Sequence, residues 1–419
     1  MKMKKFSLSL ASILAAVALQ AQPVITDVTL ANDRNRNVVV TYTLAGEAAI
    51  VTAAFTSDSA TISDVEASNV RGDVNARVAV GTHQFVWPAR EAFPQTVLAN
   101  LKVRLTAWSV GQPPDYVAFD LSGKEASRYY VSSNAVPGGI LARTYKTDKL
   151  LMRRIPASGV VAELGDIVGT STSPAPIVTP LHFVSFSDDY YIGVFTLTVG
   201  QYAWITKGAP LAGTDEDAPV KPQVQVSWEN LRGKGFTWPQ VADGQTSAHA
   251  VDAASPLGKL RAAHGYAFDL PTDAQWEFAA RAGQRTNYPG ATAAEQLEYG
   301  WYADETNAVV EVGLKRPNGF GLYDMGGNVL EFVLDLYGTA AEVPAYGSHL
   351  TDPVGPTVAD ANGYRVRRGG SVGQTWDAPF SKSYARVPYG LSGFGDKTDG
   401  YRLVCPVRPM AAQDANGND

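Results

Sequence analysis

Between residues 23 and 121 short runs place apolar side chains at every second position, and no stretch of useful length carries a helical period. In NVVVTYTL, Val38, Val40, Tyr42 and Leu44 fall on one side. In NLKVRLTA, Leu101, Val103 and Leu105 alternate with Lys102, Arg104 and Thr106. A period of two turns one face of a strand inward and the other to water. The turn-forming clusters NDRNRN and RGDVNA break these runs at sandwich-like spacing. The pattern predicts an all-β sandwich over 23–121, immunoglobulin- or fibronectin III-like.

Residues 122–147, with SGKEASRYY and NAVPGG, lose that pattern and read as a linker. From 148 to 410 short helices alternate with glycine-rich loops. Thr198 with Gln201, and Thr272 with Gln275, have the spacing of a capping box, in which side chain and backbone satisfy each other at a helix start. In the second of these helices Trp276, Ala279 and Ala280 share a face and Gly283 is expected to end it. A third helix is expected from Ser255-Pro256 to Gly265. The stretches 206–250 and 338–364 show no period. The 39 glycines and 25 prolines suit a fold in which loops outweigh regular structure. Residues 411–419 form a polar tail, expected to be disordered.

Lys2, Lys4 and Lys5 precede an apolar run from Phe6 to Leu19, with small residues at Ala18 and Ala21. That is the pattern of a secretory signal peptide over 1–21, and the run is short for a bilayer span. The mature protein is expected to be exported, periplasmic or extracellular, and not membrane-spanning. Loss of the leader leaves 32 basic against 41 acidic side chains, a net charge of about −9. A negative surface without a basic cluster argues against nucleic acid as a partner. Cys405 is the only cysteine, so no intrachain disulfide exists. It reads as a small buried hydrophobe on a closing strand, YRLVCPV.

Gly369 to Gly373 spell G-x-S-x-G, the pattern of a serine nucleophile on a tight turn. That chemistry needs an acid and then a histidine after the serine. All five histidines (83, 182, 249, 264 and 349) precede Ser371, so the reading fails. There is no H-E-x-x-H, C-x-x-C, P-loop or dinucleotide fingerprint. LYDMGGNVLEFVLD places Asp324, Asn328, Glu331 and Asp335 around Gly326-Gly327, a supply of oxygens for a hard cation. Spacing alone favours a glycine turn ahead of an amphipathic helix, with Asp324 and Glu331 solvated.

Four blocks in order, LPTDAQWEFAARAG, PNGFGLYDMGGNVLEF, RRGGSV and DGYRLV, resemble the signature of the formylglycine-generating enzyme (sulfatase-modifying factor) family. YYIGVFTLTVGQYAWI and PVKPQVQVSWEN extend the resemblance over roughly 148–407. It implies an α+β, C-type-lectin-like fold with little regular structure, preceded here by the sandwich. It also implies structural calcium, held by the side chains of Asp324 and Glu331 and the carbonyls of Gly327 and Val329, with a second site near Asp304. The family's oxidases bind copper through two cysteines after R-G-G-S. By resemblance those positions are Gln374 and Pro379, which cannot replace a thiolate pair, so copper is not expected. Leu330, Phe332 and Val372 stand where the family has tryptophans.

The expectation is an exported, non-oxidase member acting as a calcium-stabilised binding or adaptor module. Its ligand would be a peptide, a protein or a carbohydrate. The candidate groove comprises Ser371, Trp376, Asp377, Tyr384, Arg386, Tyr389 and Phe394, because aromatic and arginine side chains dominate binding hot spots. For Tyr384 and Arg386 a place in the core is an equal alternative. The rival expectation is a metal-dependent oxidase, formylglycine-generating or of related thiol chemistry, with an altered site.

Overall fold

The computed structural model describes residues 22–410, except 170–176, 214, 237, 239–240, 243–244, 247–249, 289–291, 359 and 391–395. The leader, the polar tail, His249 and Phe394 lie outside the described residues.

The N-terminal region is β-rich, as its alternation predicts. One antiparallel sheet orders Val24–Asn32, Val38–Ala45, Gly81–Trp87 and Arg71–Gly72. A second orders Ala76–Val78, Ala49–Thr56 and Lys102–Trp108. Val38, Val40, Tyr42 and Leu44 are buried while their neighbours are half-exposed, so one face of that strand makes the core. Phe55 of the second sheet stacks on Trp87 of the first, with ring centroids 4.1 Å apart.

The boundary of this region differs from the expectation. Tyr116–Asp120 does not belong to the sandwich; it pairs antiparallel with Lys149–Ile155, Val117 opposite Met152. The supposed linker contributes another strand, Arg128–Tyr130. Together they complete a five-stranded sheet ordered Val404–Pro406, Tyr190–Gly193, Lys149–Ile155, Tyr116–Asp120, Arg128–Tyr130. All five residues of Tyr116–Asp120 are buried, so no alternation marks which core they serve. The two regions are joined firmly. Ile50 of the sandwich shares a core with Val117, Phe119 and Tyr129. The Tyr129 N–H donates to the Asn75 carbonyl at 2.8 Å, and Arg128 Nη1 to the Val74 carbonyl at 2.8 Å.

The three expected helices form where their caps place them. Val199–Lys207 starts with the Thr198–Gln201 capping box. Pro256–His264 is capped by Ser255 and stopped by Gly265 at φ 70°. Asp273–Arg281 carries the Thr272–Gln275 box, but it closes on Ala282 at φ 48° rather than on Gly283. The segment after Gly327 is a strand, Leu330–Leu336, and not an amphipathic helix. Every one of its residues is buried. It pairs antiparallel with Arg365–Arg368 and parallel with Asp399–Tyr401, in the order Val387–Tyr389, Arg365–Arg368, Leu330–Leu336, Asp399–Tyr401. Acidic residues at 331 and 335 mimic a polar helix face in sequence, whereas buried arginines and amides meet them here. Among the described residues no helix is long and apolar enough to cross a membrane.

Candidate functional site

The turn 324–329 ends at the buried strand, and its glycine is dictated by close approach. Gly327 has φ 72°, and a Cβ there would collide with the Trp301 carbonyl. The Gly327 N–H donates to the Gly369 carbonyl at 2.8 Å, which ties this turn to the R-G-G-S turn. Val329 and Glu331 follow into the interior.

Asp324 and Glu331 are both buried, not solvated. The Glu331 carboxylate is fully engaged. Its Oε1 accepts from Thr196 Oγ1 at 2.7 Å and its Oε2 from Trp276 Nε1 at 2.6 Å. Arg402 faces both oxygens, with Nη2 2.8 Å from Oε1 and Nε 3.0 Å from Oε2. A buried carboxylate is tolerable only when so compensated. Asp324 is not. Its Oδ2 accepts the Gly313 N–H at 2.7 Å, while Oδ1 has no partner. Burial pushes this carboxyl up to about 6, with the Glu331 charge adding to the rise. An orphaned buried oxygen on a carboxyl short of positive charge suits a hard cation. Among the described residues no three His, Cys, Asp or Glu side chains converge, so backbone carbonyls would have to complete any shell. Asp304 is exposed and turns elsewhere, its Oδ2 accepting the Trp376 N–H at 2.9 Å.

Of the expected groove residues, Trp376 and Asp377 lie at the surface, Tyr389 is half-buried, Ser371, Tyr384 and Arg386 are buried, and Phe394 lies outside the described residues. Trp376 is half-buried and its ring lies 6.2 Å from that of Tyr288. Lys382 Nζ sits 4.1 Å from the Tyr288 ring centroid and 5.5 Å from that of Trp376, and donates to the Tyr288 hydroxyl at 2.8 Å. Asp377 is exposed beside them, bonded to Thr375 Oγ1. Gln374 leaves its side-chain Oε1 buried without a partner, and Pro379 opens a short turn. Tyr389 is half-buried on a strand, with its ring edge-on to Phe332 and Arg367 over its face.

Ser371 is corrected to the interior, and for Tyr384 and Arg386 the core alternative holds. Ser371 is a turn residue whose Oγ accepts the Gly373 N–H at 3.2 Å. Tyr384 packs with Val178 and Ala385. Arg386 is spent on Asp273 Oδ2 at 2.9 Å and the carbonyls of Leu336 and Tyr337. Tyr288 and Lys382 were not singled out by sequence. Tyr288 stands far upstream of Trp376 and no motif links them.

Cys405 lies 1% exposed on the closing strand, its Sγ 3.9 Å from Met152 Sδ. Burial pushes its thiol well above the usual range, which suppresses thiolate chemistry.

A loop-rich α+β domain with a β-rich N-terminal region, tied by glycine turns around buried Arg–carboxylate pairs, is the class that these features define. The chain belongs to the family of sulfatase-modifying factor enzyme 1-like domains, whose model matches residues 136–405. It is 32% identical to a formylglycine-generating enzyme of Streptomyces coelicolor over 244 residues, 50% of this chain and 74% of that protein. It is 38% identical to the serine/threonine-protein kinase pkn1 of Chlamydia caviae over 194 residues, 46% of this chain and 29% of that one. The chain thus spans well under two thirds of the chlamydial relative's own length. Among solved structures it overlays Treponema denticola variable protein 1 at a TM-score of 0.45 and 24% identity, covering 62% of this chain and 95% of that one.

Proposed function

We propose that this chain is an exported, calcium-braced binding or adaptor module that does not perform oxidase chemistry. One observation carries the reading: where the family's oxidases place their copper-binding thiols this chain has Gln374 and Pro379, and its sole thiol is sealed against Met152. A soft cuprous ion is held by thiolates, and neither amide nor proline supplies one. The face beside those positions supports recognition instead. Tyr288, Trp376 and Lys382 present two rings and a cation at half-exposed positions, the side-chain types that anchor ligands. The ligand class is a peptide, a protein segment or a carbohydrate.

Calcium would be held by Asp324 with the carbonyls of Gly327 and Val329, and it would supply the positive charge that Asp324 lacks. Glu331 is neutralised by Arg402 and adds its field rather than a free oxygen.

The test is panning of a random dodecapeptide library and a glycan array against the full chain, each repeated with Trp376→Ala/Lys382→Ala. Ligands enriched by the parent and lost at least tenfold by the double variant support the reading. Equal binding to both, or copper-dependent oxygen uptake with a cysteine-containing peptide, overturns it.

A further inference from the structure

A cavity of about 290 Å³ lies between the first turn of the helix Asp273–Arg281 and the stretch 342–356, with none of Tyr288, Trp376 and Lys382 in its lining. Its roof is apolar: Pro344, Leu350, Val354 and Pro356. Its floor is charged. Four carboxylates line it, Asp273, Glu277, Asp335 and Glu342, against two guanidiniums, Arg368 and Arg386.

Those charges are not equally satisfied. Arg368 bonds Asp273 through Nε and Glu277 Oε2 through Nη2 at 2.9 Å. Arg386 bonds Asp273, and Arg281 bonds Glu277 Oε1 at 2.7 Å. Both guanidiniums in the wall also donate to backbone carbonyls, so neither is left to meet an anion. Asp335 differs. It is 2% exposed and its Oδ2 accepts the Asp273 N–H at 2.7 Å, yet Oδ1 receives no hydrogen bond from the described residues. Only Gly355 permits this arrangement, because a Cβ there would collide with Oδ1. Burial, then the Asp273 charge, pushes the Asp335 carboxyl up to about 7, as expected of an acid with no cation of its own.

Two further polar groups belong to the wall. His182 Nδ1 lies 2.8 Å from the Pro180 carbonyl, so that nitrogen carries a hydrogen and is spent on the backbone. Thr179 lines the cavity with a hydroxyl that has no partner and whose lone pairs can accept from an ammonium. An alkylammonium brings three donors and one positive charge on an apolar stem.

We propose that this cavity binds a small organic amine, its ammonium on Asp335 and its apolar body under the proline-rich roof. A cavity of this volume admits a compact molecule and not a folded segment of chain.

The experiment is calorimetric titration of the full chain with n-pentylammonium, n-pentanol and pentanoate. Saturable binding of the ammonium, at least tenfold tighter than the alcohol, is expected, with no binding of the acid. Asp335→Asn keeps an acceptor for the Asp273 amide and turns a donor toward the ligand; it should weaken the ammonium at least tenfold. Val343→Trp, which fills the cavity from its roof, should abolish binding while the melting transition persists. Nα-acetyl-lysine amide carries the same group on a peptide unit. Weaker binding of it supports a free amine, and tighter binding overturns that assignment in favour of a protein lysine. Equal affinity for the three pentyl compounds, or undiminished binding in Asp335→Asn, overturns the proposal. Because Trp376 and Lys382 take no part, this result is independent of the groove reading.

Discussion

Arg402 and Glu331 face each other in the interior, Nη2 2.8 Å from Oε1, at 0% and 1% exposure. Trp276 and Thr196 complete the carboxylate's shell, so residues from three of the family's sequence blocks meet on one anion. Removing the charge from one side leaves the other buried and unpaired. Glu331→Gln should therefore destabilise the chain by about 3–5 kcal/mol. Urea unfolding followed by tryptophan fluorescence measures it, and a change below about 1 kcal/mol would contradict the assigned role.

Asp335 should make stability depend on pH in a defined sense. Its folded pKa, about 7, lies above the model-peptide value, so the folded state holds a proton that the unfolded state releases. Stability is then lost as pH rises between about 4 and 7. Asp273 works in the opposite direction: despite its burial, Arg368 and Arg386 hold it below its usual range, and its contribution is lost as pH falls. The informative quantity is the difference between variants. Asp335→Asn should gain melting temperature relative to the parent as pH is raised from 5 to 8. A constant difference would contradict the shift.

Ile50 ties the sandwich to the second domain's core with Val117, Phe119 and Tyr129. Ile50→Ala should cost about 2–4 kcal/mol and soften the joint unfolding of both regions. Calorimetry would show it. If the transition is unchanged, the two regions are not mechanically one body.

These contacts were unequally legible in the sequence. Helix starts were readable because a capping box is complete within four residues, as at Thr198–Gln201 and Thr272–Gln275. The strand Val38–Ala45 was readable because only one face is buried. Leu330–Leu336 was not, since a strand buried on both faces has no period of two and its acids resemble a helix surface. Tyr116–Asp120 was assigned to the wrong sheet for the same reason. The family resemblance located Asp324 and Glu331 but not their inequality, which depends on Arg402 and Gly313 arriving from elsewhere in the chain. Of the Tyr288–Trp376–Lys382 face only Trp376 was legible, by its residue type, since no motif links Tyr288 or Lys382 to it.

Asp324 gives the calcium expectation a handle that does not depend on activity. With Oδ1 unpartnered and its pKa near 6, calcium should raise the parent's melting temperature at pH 7.5 by several degrees. Asp324→Ala should abolish that response. An equal response in both would move the calcium elsewhere.

Elemental mass spectrometry of the purified protein, after dialysis against calcium, copper and iron together, tests the central claim most directly. The account predicts about one calcium per chain, held at Asp324 whose Oδ1 has no partner, and neither transition metal in stoichiometric amount. One copper or iron per chain, retained on further dialysis, would contradict it and make the altered-site oxidase the better reading.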